Sequence, residues 1–207
     1  MKKLDIDFIF QNLNELFPNA DTELKFSTDF QLLVAVIMSA QSTDKQVNKI
    51  TDNLFKVVKN PQDVIDMWLE KFTKAISSIN YYKNKSKYIF ETSKILKNNP
   101  ELLCSDLNQL QKLPWVWMKT AKVLSYELFW ANVIAVDTHV HRVANRLWFV
   151  STKDPEKTSE ALEKIIPHKY KRIAHHTLVL FGRYYCTAKK PKCDWCRFAH
   201  ICKYKIL

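Results

Sequence analysis

Apolar side chains recur at helical spacing along nearly the whole chain, and this periodicity restricts the fold more than any other feature. Leu4, Phe8, Ile9, Leu13, Leu16 and Phe17 mark one face of a first helix, which Pro18 ends. Thr28 with Gln31 has the form of a capping box opening an apolar helix from Phe30 to Ala40. Thr43 with Gln46 opens the next, with Val47, Ile50, Leu54 and Val57 on one face. The pattern predicts further helices over 61–67, 70–78, 84–98, 106–112, 119–129, 138–147, 156–165 and 170–185. The one β-like stretch, "VIAV" at 133–136, is too short and isolated to imply a sheet. No repeat of solenoid length underlies the pattern. The expected fold is all-α, built from about ten short helices joined by short loops.

Charge narrows the partner. Against 21 acidic side chains stand 32 basic ones, a net charge of +11. No lysine tail carries it, so the charge belongs to folded surface and points to a polyanion, nucleic acid before membrane. The longest apolar run, Leu32 to Met38, falls short of the roughly 18–20 residues of a membrane span. Asp5 and Asp7 interrupt the amino terminus, which therefore does not read as a secretory signal. A cytoplasmic address is expected.

Four of the five cysteines crowd the carboxyl end: Cys186, Cys193, Cys196 and Cys202, spaced C-x6-C-x2-C-x5-C. In a cytoplasmic chain such clustering suggests a metal centre before disulfides. Structural zinc usually shows two tight pairs and only one is present, so an iron–sulfur cluster fits better, with zinc left open. Lys189, Lys190, Lys192 and Arg197 thread the same loop, a device suited to phosphates. A staple that merely secures the terminus is the plainer role, and the two are compatible. Cys104 stands apart, as a small buried hydrophobe.

Two further segments carry chemistry. In "LQKLPWVWMKTAKVL" a helix ends near Leu113, Pro114 opens a turn, and a new helix begins at Met118–Lys119. The backbone N–H groups at that helix start lack intrahelical partners and form a ready site for a phosphate. Lys119 falls in the first turn, where the positive end of the helix dipole disfavours an ammonium. Partial burial would add to that effect and leave a neutral, nucleophilic amine. In "VIAVDTHVHRVANRL", Asp137 with Thr138 caps a helix whose Val140, Val143, Ala144 and Leu147 share one face. A lone lysine at a helix start is usually only solvated, and an aspartate there usually only a cap; their combination changes the reading.

Together with "SAQSTDKQVNK" at 39–49, "FGRYYC" at 181–186 and the cysteine loop, these segments resemble the endonuclease III family of helix-hairpin-helix DNA glycosylases, in family order and spacing over essentially the whole chain. The resemblance implies two helical lobes flanking a DNA-binding cleft. One would span 22–131 and hold the helix-hairpin-helix at about 107–126; the other would join 1–21 to 132–207 and hold the cluster loop. It implies that Lys119 attacks C1′ of a flipped nucleotide and forms a Schiff base, assisted by Asp137. Gln41 would fill the gap left by the extruded base. Trp115, Trp117, Thr120, His139, Lys190 and Lys192 would contact DNA, and the four clustered cysteines would hold a [4Fe–4S] cluster. The implied enzyme is a monomer acting on double-stranded DNA with a damaged pyrimidine or an abasic site, associated with the nucleoid and with no membrane. It removes the base and cleaves the strand by β-elimination. Adenine-mismatch relatives lack the lysine and carry a long extra carboxyl-terminal domain, whereas this chain ends at Leu207. His141, His175 and His176 read as structural or phosphate-facing.

One departure stands out. The family hairpin is L-P-G-x-G, and here both glycines are replaced, by Trp115 and Trp117. The chain has a single glycine, Gly182, where average usage would supply about 14, and six tryptophans. Trp68, Trp130 and Trp148 each follow the last turn of a predicted helix, the site glycine dominates, and Trp195 sits in the turn of "CDWC". A bulky residue at φ > 0 is strained, and two indoles at the hairpin would crowd a phosphate. The expectation is that all six stand for glycine, encoded by UGA codons that the cell reads as glycine. If the tryptophans are instead genuine, the alternative is an iron–sulfur DNA-binding module impaired in catalysis. Sequencing the gene should show UGA at codons 68, 115, 117, 130, 148 and 195; ordinary UGG at most of them overturns the expectation.

Overall fold

The computed structural model describes residues 5–206, with side chains through 204; Leu4, expected on the apolar face of the first helix, lies outside them. The described residues form helices, turns and loops, with no strand. In chain order the helices are α1 (Ile6–Leu16), α2 (Asp29–Ser39), α3 (Asp44–Leu54), α4 (Pro61–Met67), α5 (Leu69–Ala75) and α6 (Tyr82–Asn98). There follow α7 (Leu107–Leu110), α8 (Met118–Phe129), α9 (Thr138–Arg146), α10 (Pro155–Ile165), α11 (His168–Tyr184) and α12 (Lys203–Ile206). Residues 22–131 form one unit, and residues 1–21 with 132–207 form a second. No helix among the described residues is long and apolar enough to cross a membrane.

In the 22–131 unit, α2 is the central element. It is apolar on every side, and Phe30, Leu32, Leu33, Val34, Ile37 and Met38 are all buried. Val47 and Leu54 of α3, Phe72 of α5, Ile89 and Leu96 of α6, and Leu124 of α8 complete that core. Gln31 is buried there too, and every polar atom it brings is matched. Its Nε2 donates to the carbonyls of Phe55 (3.1 Å) and Val58 (2.8 Å), and its Oε1 accepts from Ser27 N–H (2.7 Å). The capping box expected at Thr28 is therefore one-sided: Thr28 Oγ1 accepts from Gln31 N–H, but the glutamine side chain reaches past Thr28. Thr43 likewise caps α3 through Gln46 N–H, while the Gln46 side chain donates to the Ser78 carbonyl.

The second unit packs Ile9, Phe10 and Leu13 of α1 with Val140 and Val143 of α9, Leu162 of α10, and Leu178 and Phe181 of α11. The single glycine serves this packing rather than a turn. A Cβ on Gly182 would lie 2.9 Å from His139 Cβ and 3.2 Å from the His139 carbonyl oxygen, so α9 and α11 approach closely only at glycine.

Left-handed backbone angles consequently fall on other residues. Trp68 (φ 62°), Trp115 (65°), Trp130 (59°) and Trp148 (62°) all have them, as do Gln41 and Tyr81. Trp68, between α4 and α5, combines its φ with ψ 147°, close to a region essentially reserved for glycine. Trp130 closes α8 with its N–H donating to the Tyr126 carbonyl, and Phe149 N–H, just after Trp148, reaches back to Ala144. Both are glycine-type helix endings. Trp117 and Trp195 differ from expectation: Trp117 is extended (φ −78°), and Trp195 lies in a short 3₁₀ turn outside the left-handed set. Backbone strain therefore supports glycine at four of the six positions. Each left-handed tryptophan costs about 1–2 kcal/mol, and the Trp68 and Trp130 indoles are exposed. Trp68→Gly and Trp130→Gly should each raise the free energy of unfolding by about 1 kcal/mol in denaturant titrations. A loss of stability in both contradicts the strain argument.

Candidate nucleic-acid interface and cysteine centre

The hairpin begins where α7 ends. Val116 N–H donates to the Leu113 carbonyl (3.1 Å), closing a four-residue turn with Pro114 second and Trp115 third. With φ 65° at its third residue, this is a type II turn, the type that asks for glycine there. The Trp115 indole turns back onto α6, stacked on Tyr88 with ring centroids 4.6 Å apart. Trp117 then takes the N-cap position of α8 but supplies no side-chain acceptor, so the first N–H groups of α8 have no side-chain cap. Its indole is exposed. The crowding expected of both tryptophans thus falls on Trp117.

Lys119 is the second residue of α8 and is exposed, while Thr120 beside it is half-buried.

Gln41 lies in the reversal that follows α2, exposed and left-handed at φ 56°. Its carbonyl accepts from Asn80 Nδ2 at 2.6 Å, and the next residue, Tyr81, is itself exposed and left-handed. Beneath the reversal Lys85 is almost fully buried, donating to the carbonyls of Met38 (2.8 Å) and Ala40. Neither Asn80 nor Lys85 stood out in the sequence, because their roles depend on a loop some forty residues away.

In the second unit the extended stretch before Asp137 is held from three sides. Glu163 accepts from Ile134 N–H (3.0 Å), Ser159 Oγ donates to the Ile134 carbonyl (2.6 Å), and buried His175 Nδ1 donates to the Ala135 carbonyl (2.7 Å). Asp137 caps α9 as predicted, one carboxylate oxygen accepting from His139 N–H and Val140 N–H, both at 2.8 Å. His139 is half-buried, its Nδ1 within 3.2 Å of Arg142 Nη2, and His141 bonds Thr158. His141 and His175 thus have structural partners.

The four clustered cysteines meet around one cavity, of about 370 Å³ including its open mouth, closed by Leu147, Phe181 and Tyr185. Burial pushes the Cys186 and Cys196 thiols up, Cys202 adds to the push on both, and Arg146 beside Cys186 pulls that thiol the other way. Thiolates crowded into an apolar site call for a cation between them. Two arginines grip this loop from α9. Arg142 donates to the carbonyls of Cys186 (2.9 Å) and Gly182 (2.7 Å). Arg146 donates to Cys186 Sγ (3.2 Å) and to the carbonyls of Thr187 and Ala188, its guanidinium lying over the Tyr204 ring. They are four residues apart in "HRVANR", so their shared face was legible, but their target was not.

The basic loop is less uniform than expected. Lys189 and Lys190 are exposed; Lys192 is exposed but lies over the Tyr185 ring; Arg197 is tied to Glu15 and Asn12 of α1. Cys104 is half-buried rather than fully buried.

Residues 34–168 match the HhH-GPD superfamily of base excision DNA repair proteins. The chain belongs to that superfamily. It is 41% identical to endonuclease III of Haemophilus influenzae over 199 residues, covering 95% of this chain and 94% of the relative. The figures are the same for endonuclease III of Escherichia coli strain K12. Among solved structures, a trapped covalent intermediate of endonuclease III with DNA superposes with a TM-score of 0.91 at 37% identity, covering 99% of this chain and 98% of that one. A thermostable thymine-DNA glycosylase, 19% identical with a TM-score of 0.85, shares the fold.

Trp117→Gly should therefore strengthen binding to duplex DNA several-fold by clearing the uncapped N–H groups of α8. Trp115→Gly, whose indole already lies against Tyr88, should change affinity less. Fluorescence anisotropy at fixed salt checks both, and equal effects contradict the assignment of crowding to Trp117.

Proposed function

We propose that this chain is a bifunctional DNA glycosylase of base excision repair, which removes oxidised pyrimidines and cleaves the resulting abasic site. The observation that carries the reading is Lys119, an exposed amine in the first turn of a helix whose N-terminal amides have no side-chain cap, in a chain matching endonuclease III along nearly its full length. The amides of α8 hold a backbone phosphate and bring the deoxyribose to the amine. The neutral Lys119 amine attacks C1′, the bond from C1′ to the base breaks, and the base departs with the bonding electrons and a proton. The sugar ring opens to a Schiff base between C1′ and Nζ. Loss of a C2′ proton then expels the 3′ phosphate, and water releases the lysine. Asp137 stabilises the positive charge that develops on the sugar and assists the lysine; only one of its oxygens is needed for capping. Gln41 occupies the gap left by the flipped base, and Thr120, His139, Lys190 and Lys192 contact the DNA.

Cys186, Cys193, Cys196 and Cys202 hold a [4Fe–4S] cluster, whose donor set their shared cavity fits. When bound, the cluster ties the basic loop into one fixed shape. Arg142 and Arg146 hold the same loop from α9, and Lys190 presents its charge.

Borohydride reduction in the presence of an abasic-site duplex should trap a covalent adduct with the intact chain and none with Lys119→Ala. Asp137→Asn should lower the single-turnover rate by at least about a hundredfold while leaving DNA binding near normal. Purified protein should contain iron and acid-labile sulfide in equal amounts. An adduct that survives Lys119→Ala overturns the assignment of the nucleophile; no adduct with the intact chain, or with Trp115 and Trp117 changed to glycine, overturns the enzymatic reading.

A further inference from the structure

The reversal that carries Gln41 has unusual demands. After α2 the backbone turns through a left-handed glutamine, exposed to solvent, and the last carbonyls of the helix lose their intrahelical partners. No glycine relieves the turn. Three side chains from one neighbouring stretch or aimed at it hold the loop in place. Asn80 Nδ2 donates to the Gln41 carbonyl at 2.6 Å, and Gln46, just beyond the loop, donates to the Ser78 carbonyl. From below, Lys85 Nζ donates to the carbonyls of Met38 (2.8 Å) and Ala40, with Ser42 Oγ at 3.5 Å. Every residue from Met38 to Ser42 except Ser39 is thus bonded to residues 80 or 85.

Lys85 is 2% exposed and stands on α6. Its partners are two carbonyls and a hydroxyl, with no carboxylate among the described residues within ion-pair distance. Burial pushes its ammonium down to about 8. A buried cation held by neutral oxygens is a poor device for stability, since an apolar side chain of similar volume is often neutral or better in such a place. What the ammonium does, and an apolar side chain cannot, is grip several carbonyls at once and set their directions.

We propose that Lys85 is a positioning residue for Gln41, locking the loop so that the glutamine is already set to enter the duplex when a nucleotide leaves the stack. The proposal rests on the reading of Gln41 as the gap-filling side chain. A loop set in advance loses little freedom on binding, so loosening it costs the flipped state rather than the encounter with DNA. Asn80 serves the same loop from the outer side.

The test is a double-mutant cycle read by single-turnover base excision and by 2-aminopurine fluorescence beside the lesion, which reports unstacking. Lys85→Met should slow excision by about tenfold and reduce the fluorescence change, with DNA affinity altered less than about threefold. In a Gln41→Ala background the same change should cost less than about twofold, because nothing is left to position. Lys85→Gln, which keeps a donor, should recover part of the loss. Should Lys85→Met fail to fold by circular dichroism, Asn80→Ala, at an exposed site, carries the same cycle. Equal losses in both backgrounds overturn the proposal and leave the gap-filling reading intact. A Gln41→Ala chain that excises at the normal rate overturns that reading, and the proposal with it.

Discussion

The approach of α9 to α11 at Gly182 governs the second unit, because no other residue type would let the helices come so close at His139. With the helices in contact, Arg142 reaches the Gly182 and Cys186 carbonyls and Arg146 reaches Cys186 Sγ. The same helix begins at Asp137, whose carboxylate occupies the cap. One element therefore carries the carboxylate at its start and the clamp on the cysteine loop along its body. A shift of α9 by even a methyl group's width would disturb both ends, which is how a packing contact comes to matter for chemistry.

The first unit meets its constraints in the backbone rather than the core. Its reversals at 41, 68, 81, 115 and 130 all take left-handed angles on residues that have a Cβ. Four of the six such positions among the described residues are tryptophan, a residue with no affinity for that region. At Trp115 the strain is offset in part by stacking on Tyr88, whereas the Trp68 and Trp130 indoles are exposed. Angles that suit glycine, occupied by exposed indoles, are what a chain with glycine at those positions would leave behind. Gln41 differs, since Asn80 and Lys85 hold it there.

Much of the fold was legible because the signals are local. Helix positions followed apolar spacing, and the ends of α4, α8 and α9 fell within a residue or so of those expected. The caps at Thr28, Thr43 and Asp137 formed, but the side chains of Gln31 and Gln46 found distant partners that no local rule names. The cysteine spacing announced a centre, yet not that burial would drive the Cys186 and Cys196 thiols up or that α9 would grip it. Arg197, grouped with the basic loop by its position in the chain, belongs to α1 through Glu15.

The sequence by itself determined the helical class, the hairpin with its lysine, the capping aspartate and the four thiols, because each is set by residue type and by neighbours within a turn or two. Only the tertiary structure decided which way the Trp115 and Trp117 indoles point, which tryptophans bear left-handed strain, and what Lys85 and Arg146 hold. The partners of Lys85 and Arg146 lie forty or more positions away, and Tyr88 beneath Trp115 stands on another helix, so the geometry of packed helices, not local preference, selects these contacts.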